Sequence, residues 1–143
     1  GEFWKAAAKH CDVLSVNTYT NSVVNVPAKN FLDKPMLVGE FHFGALDRGM
    51  FAPGLCPVGS QEERATSYMR FLQGALTHPN FVGTHYFQFR DQPLTGRWDG
   101  EGYQIGFVDV ADTPYPELCK AAREVGENMY RYRMNGKTVN EMK

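Results

Sequence analysis

Apolar residues in this chain gather in short blocks that end in polar side chains, and the segments between them carry helical spacing. Pro35-Met-Leu-Val-Gly-Glu40 is apolar until its last residue, which reads as a strand buried on both faces, since a half-solvated strand would alternate. Cys11-Asp-Val-Leu-Ser-Val-Asn17 reads as a second strand, with Asn17 and Tyr19 one strand period apart at its polar end. Phe81 to Arg90 reads as a third, rich in aromatics. Glu2 to His10 has strong helix formers and puts Phe3, Ala6 and Ala7 on one face. Ser60-Gln-Glu-Glu63 is a capping box opening a helix whose buried face is Ala65, Tyr68, Met69, Leu72, Ala75 and Leu76. His78-Pro79 stops it, with His78 as the C-terminal cap. Thr113-Pro-Tyr-Pro-Glu117 opens a last helix with the stripe Leu118, Ala121, Ala122, Val125 and Met129. A short helix is expected near Ala28 to Leu32.

The order helix, strand, helix, strand, helix, strand, helix implies parallel strands joined by crossovers in an α/β fold. All three strands then carry their polar ends on one side, where such folds bind ligands. Two long glycine-rich loops, His42 to Gly59 and Asp91 to Asp112, follow the second and third strands, and loops of that length in a compact fold are usually functional.

Composition narrows the partners. The 143 residues are 43% hydrophobic and 13% aromatic with a formal charge of −1, enough for one domain with a real core. No basic run exists beyond the mildly basic end (Arg131, Arg133, Lys137, Lys143), so nucleic acid is not expected as a partner. No run of 18 apolar residues occurs, and no membrane partner is expected. Cys11, Cys56 and Cys119 are an odd number without metal-ligand spacing and read as buried free thiols, with one disulfide open. The chain opens inside a helix, so the natural start is expected upstream, and localisation is not legible.

The strand ends bring together Asn17 and Tyr19, Glu40 and His42, and Tyr86, Gln88, Arg90 and Asp91. A carboxylate at a strand end is costly unless it is used or paired. Glu40 therefore stands either as a functional group or as a loop cap or arginine partner. No phosphate-binding glycine loop and no nucleophile elbow is present. A zinc site from His42, His85 and Glu40 would follow no known ligand spacing. Neither metal nor cofactor is expected. Carboxylate, amides and aromatics together suit carbohydrate, which offers hydroxyls and apolar C–H faces. A glutamate there could act as the nucleophile of a retaining glycosidase, with Tyr19 orienting it. Tyr86, Phe87 and Phe89 could equally be core, and alternation requires that about half of them are.

Asp12 to Tyr19, Lys34 to Gly44 and Gly83 to Gly96 resemble the last three barrel strands of clan-A retaining glycoside hydrolases. Gly39 to Phe51, Asp91-Gln-Pro-Leu-Thr-Gly-Arg97 and Gln104-Ile-Gly-Phe-Val-Asp109 most resemble the β-agarases of glycoside hydrolase family fifty. The resemblance spans residues 12 to 131. It implies a partial (β/α)8 TIM barrel, strands six to eight, with residues 1–143 as the C-terminal fragment of one catalytic domain. It implies Glu40 as nucleophile and substrate contacts at Asn17, Tyr19, His42, Tyr86, Gln88 and Asp91, with a tyrosine at 86 where the family has tryptophan.

The implied substrate is a galactan or agaro-oligosaccharide cleaved at β-1,4 galactosidic bonds, in a secreted or periplasmic setting. The family's acid/base glutamate follows an asparagine at the fourth strand, and no Asn-Glu pair here fits that role. The isolated chain is thus expected to be weakly active or inactive, and to self-associate or pair with the rest of the barrel. A β-galactosidase of the same clan and a non-catalytic sugar-binding module remain alternatives. An α/β redox or nucleotide domain lacks its phosphate loop.

Overall fold

The computed structural model describes residues 2–26, 34–48 and 51–136. Helix α1 (Glu2–His10) leads into strand β1 (Leu14–Asn17), then β2 (Met36–Phe41), α2 (Gln61–Thr77), β3 (Phe81–Tyr86) and α3 (Pro116–Asn135). The helix expected near residues 28–32 lies outside the described residues. The strands form one parallel sheet in the order β1-β2-β3, as the alternation of elements implies. No described helix is long and apolar enough to cross a membrane.

Strand β2 differs from its expected character. Met36, Val38 and Phe41 are buried, whereas Leu37 and Gly39 are half-exposed, so among the described residues β2 is covered on one face only. Phe41 stacks on Phe71 of α2 with ring centroids 4.2 Å apart, within a core that also takes in Leu14, Tyr68, Phe81 and Leu118. Strict alternation from Met36 and Val38 would bury position 40. The register instead shifts between Val38 and Phe41, which buries Phe41 and leaves Glu40 half-exposed.

Helix α2 begins as expected. Ser60 Oγ accepts from Glu63 N–H, while the Glu63 carboxylate reaches back to Gly59 N–H rather than to Ser60. Its inward face is rotated from the expected one. Arg64, Tyr68, Phe71 and Ala75 are buried, whereas Ala65, Met69, Leu72 and Leu76 are half-buried. The spacing 64, 68, 71, 75 is itself helical, and it puts an arginine in the stripe. His78 caps the helix, its N–H bonding the carbonyls of Gly74 and Ala75 and its ring bonding Val26 O.

Helix α1 turns Trp4, Ala7 and Ala8 towards the core, so Phe3 and Ala6 are not its inner face, and Phe3 is exposed. In α3, Leu118, Ala121 and Val125 are buried, but Met129 is exposed and Tyr132 takes its place. β3 ends at Tyr86, short of Arg90. All three cysteines are free. Cys56 is buried, but Cys11 is exposed because it lies in the turn before β1.

The two long loops build one unit above the strand ends. Gly44 pairs with Pro57, and Ala52 with Tyr103 of the second loop. A Cβ on Gly44 would lie 2.0 Å from Pro53 O, so only glycine lets the first loop fold back so closely.

Candidate functional site

Glu40 lies opposite Asn17 at the C-terminal ends of adjacent strands. Thr18 N–H donates to Glu40 O at 2.8 Å, which ties the end of β1 to this residue. Two residues beyond β1, the Tyr19 hydroxyl donates to Glu40 Oε2 at 2.5 Å. Its distance suits a charge-assisted bond to a carboxylate. Burial, and then the Glu40 carboxylate, hold the Tyr19 hydroxyl above its ordinary pKa, so tyrosine remains the donor. Asn17 sits beside them over Gly39, where an added Cβ would come within 2.7 Å of Asn17 Oδ1.

His42 is buried, at 1% exposure. Its Nε2 accepts from Leu55 N–H at 2.8 Å, and its ring lies 4.8 Å from that of Tyr19. Gly54, at φ 76°, lets the loop pass over the ring, since a Cβ there would lie 2.6 Å from His42 Nε2. His42 thus anchors the first loop through Nε2 and packs beneath Tyr19. Burial, reinforced by the Arg64 charge, lowers its pKa from 6.5 to about 4. The folded state thus refuses a proton that the unfolded chain takes up below pH 6.5. The contribution to stability is complete above that pH and falls by about 3 kcal/mol between pH 6.5 and 4. Urea midpoints at pH 7 and pH 4.5 are expected to differ less in His42→Gln than in the native chain. An equal difference in both would remove His42 from that pH dependence.

Tyr86 and Asp91 also have partners within the described residues. The Tyr86 ring packs on Phe41, Tyr68 and Phe107. Its hydroxyl donates to Phe43 O at 3.0 Å and accepts from Arg64. It therefore points to the helix-covered side. Phe87, the next residue, lies on the side of His42 with ring centroids 6.3 Å apart, and the Arg97 guanidinium stands 5.7 Å from its centre. Alternation moves the aromatic by one residue.

Asp91 is buried, with Oδ1 accepting from Gly106 N–H and Oδ2 from the Tyr115 hydroxyl at 2.6 Å. It joins the second loop to the start of α3. Burial raises its pKa, against the hydrogen bonds from Tyr115 and Gly106 and the Arg64 charge. Gln88 stays half-buried near the strand ends, its amide bonded to Arg90 O, and Arg90 pairs with exposed Asp112. Among the described residues no cluster of three His, Cys, Asp or Glu could hold a metal.

Arg64, which the sequence reading left out, is fully buried beneath the loops. Nε donates to Phe43 O at 2.7 Å, one amino group to Gln61 Oε1 at 2.9 Å, and the other to Gly106 O and Tyr86. Its guanidinium also stands 5.0 Å from the centre of the Tyr115 ring. One cation thus joins the ends of β2 and β3, the second loop and α3.

No family model matches the chain. It is 43% identical over 136 residues to β-agarase B of Vibrio sp. (strain JT0107), covering 92% of this chain and 14% of that protein. It is 47% identical over 133 residues to β-agarase A of the same strain, covering 87% and 13%. It also superposes on a solved exo-β-agarase with a TM-score of 0.87 at 46% identity, over 95% of this chain and 19% of the other. The chain thus spans about one-seventh of the length of these curated relatives.

Proposed function

We propose that the chain is the C-terminal part of the catalytic (β/α)8 barrel of a family-fifty β-agarase, a glycoside hydrolase, and carries its nucleophile, Glu40. The single observation behind this reading is the Tyr19 hydroxyl bonded to Glu40 Oε2 at 2.5 Å, at the C-terminal ends of two parallel strands. A glutamate held in that way has one oxygen fixed and the other, Oε1, without a hydrogen bond from the described residues. In a retaining mechanism Oε1 attacks the anomeric carbon of a galactose unit as the bond to the leaving oxygen breaks. The leaving oxygen takes its proton from a second carboxyl group, contributed by the barrel units outside these residues. Water then opens the glycosyl ester, with the second carboxylate as base.

Asn17 and Gln88 are placed at the strand ends to meet sugar hydroxyls, and Phe87 supplies the apolar surface beside them. The similarity to two β-agarases and a solved exo-β-agarase supports agarose as the substrate class. Release of neoagaro-oligosaccharides from agarose, against galactose from a simple galactoside, tests that choice. The assay needs the upstream part of a matching β-agarase added to the chain, because the acid/base is not among residues 1–143.

The outer edges of β1 and β3 and the uncovered face of β2 are surfaces that the remaining barrel would close. Size-exclusion chromatography is expected to show a species larger than 16.2 kDa for the chain alone. A monodisperse monomer would refute this part of the proposal.

A further inference from the structure

Beyond the strand ends, the second loop projects a turn from Pro93 to Glu101. Gly96 N–H bonds Pro93 O at 2.8 Å, Gly100 N–H bonds Arg97 O at 3.0 Å, and Arg97 N–H bonds Glu101 O at 2.6 Å. Gly96 and Gly100 have φ of 77° and 89°, which glycine adopts without strain. Arg97 pairs with Asp99 at 2.7 Å and with Glu101 at 3.4 Å. Gln92 holds Glu101 from behind at 2.7 Å. The turn's charges therefore satisfy one another, and its shape is braced from within.

At the tip of this turn Trp98 is 94% exposed, with Leu94 beside it at 57%. Tryptophan is on average well buried, so an almost bare indole on a braced turn stands out. The turn also belongs to the site's side of the molecule. Arg97, next to Trp98, covers the Phe87 ring, and Phe87 lies against His42 beneath Tyr19. Ala52 pairs with Tyr103 just after the turn, which brings exposed Phe51 of the first loop to the same ledge.

We propose that Trp98 forms an outlying sugar-binding subsite, stacking on the C–H face of a neutral galactan unit beyond the one held at Glu40. An indole face offers apolar area to a sugar ring while the ring's hydroxyls stay in water. A nucleobase could stack as well, but single-stranded nucleic acid needs a cationic groove. Arg97, the cation beside Trp98, is neutralised by two carboxylates. The inference rests on the agarase reading for its ligand class, but it does not need the chain to be catalytically active.

The chain has two tryptophans, so Trp4→Phe leaves Trp98 as the sole indole reporter. Titrating that variant with agarohexaose is expected to quench and blue-shift its emission saturably. Agarobiose, which offers a single disaccharide unit, is expected to bind at least tenfold more weakly. By calorimetry Trp98→Ala should lower hexaose affinity about tenfold, and Trp98→Phe should restore most of it. Circular dichroism would confirm folding, which an exposed position should not disturb. Hexaose binding by calorimetry with unchanged Trp98 emission, or unchanged affinity in Trp98→Ala, would overturn the proposal. So would a change of oligomeric state in Trp98→Ala with saccharide binding intact, since that assigns the indole to a protein contact. Failure of Glu40 as nucleophile appears in hydrolysis assays instead, and leaves this titration unaffected.

Discussion

Replacing Glu40 by Gln is expected to abolish agarose hydrolysis when the chain is combined with the upstream part of a matching β-agarase. Removing a nucleophile costs roughly 10⁴-fold or more in rate, which is about 5 kcal/mol of transition-state stabilisation. The amide keeps the volume and can still accept from Tyr19, so unfolding should move by less than about 1 kcal/mol. Loss of rate with intact stability is what separates a nucleophile from a structural carboxylate.

Tyr19→Phe gives the complementary result. Its hydroxyl holds Glu40 Oε2, and a nucleophile held in its attacking orientation reacts faster than one free to rotate. Removing it leaves Oε2 unheld, so kcat should fall by roughly tenfold or more while stability changes by less than about 1 kcal/mol. Hydrolysis that survives Glu40→Gln within tenfold would overturn the assignment, whatever Tyr19 does.

The order of elements and the site's central pair were legible in the sequence for physical reasons. Apolar blocks that end in polar residues mark strands, and parallel strands put those ends together, which brought Tyr19 and Glu40 within one hydrogen bond. Individual side chains were less legible. Tyr86 and Phe87 are neighbours of similar character, and which of them faces the site depends on the strand's phase. A register shift sets that phase, and no periodicity announces it.

His42 and Asp91 are legible as polar residues at strand ends, but what holds them is not. Their partners, Leu55 N–H and the Tyr115 hydroxyl, come from loops 13 and 24 residues away, and loop returns of that kind leave no pattern in composition. Arg64 did leave a signal. Its spacing to Tyr68, Phe71 and Ala75 is that of a buried stripe, but a charge there reads as solvent-facing until its carbonyl partners are seen.

Arg64 is also where the largest loss of stability is expected. Arg64→Ala leaves the buried carbonyl oxygens of Gly106 and the Gln61 side chain without their donor, at about 1–3 kcal/mol for each unsatisfied group. It also opens a cavity where one of the largest fully buried side chains stood. Together these suggest about 4 kcal/mol, out of the 5–15 kcal/mol typical of a domain. At about 2–4 °C per kcal/mol, the melting temperature would fall by roughly 10 °C.

Arg64→Lys should recover little, because one ammonium cannot reproduce a planar fork that serves Phe43, Gln61, Gly106 and Tyr86 at once. Arg64→Met separates packing from hydrogen bonding. It refills much of the volume but still leaves both carbonyls bare, so it should lie between Ala and the native chain. A Met variant as stable as the native chain would mean that the hydrogen bonds contribute nothing net, as happens for some buried charges. Hydrogen exchange locates the damage. Phe43 follows His42 directly, and His42 holds the Leu55 amide. Loosening Phe43 should therefore speed exchange at Leu55 well before the sheet amides of β2 respond. Uniform acceleration across β2 and the loop would instead make Arg64 a support of the whole fold, with no special hold on the loop above Tyr19 and Glu40.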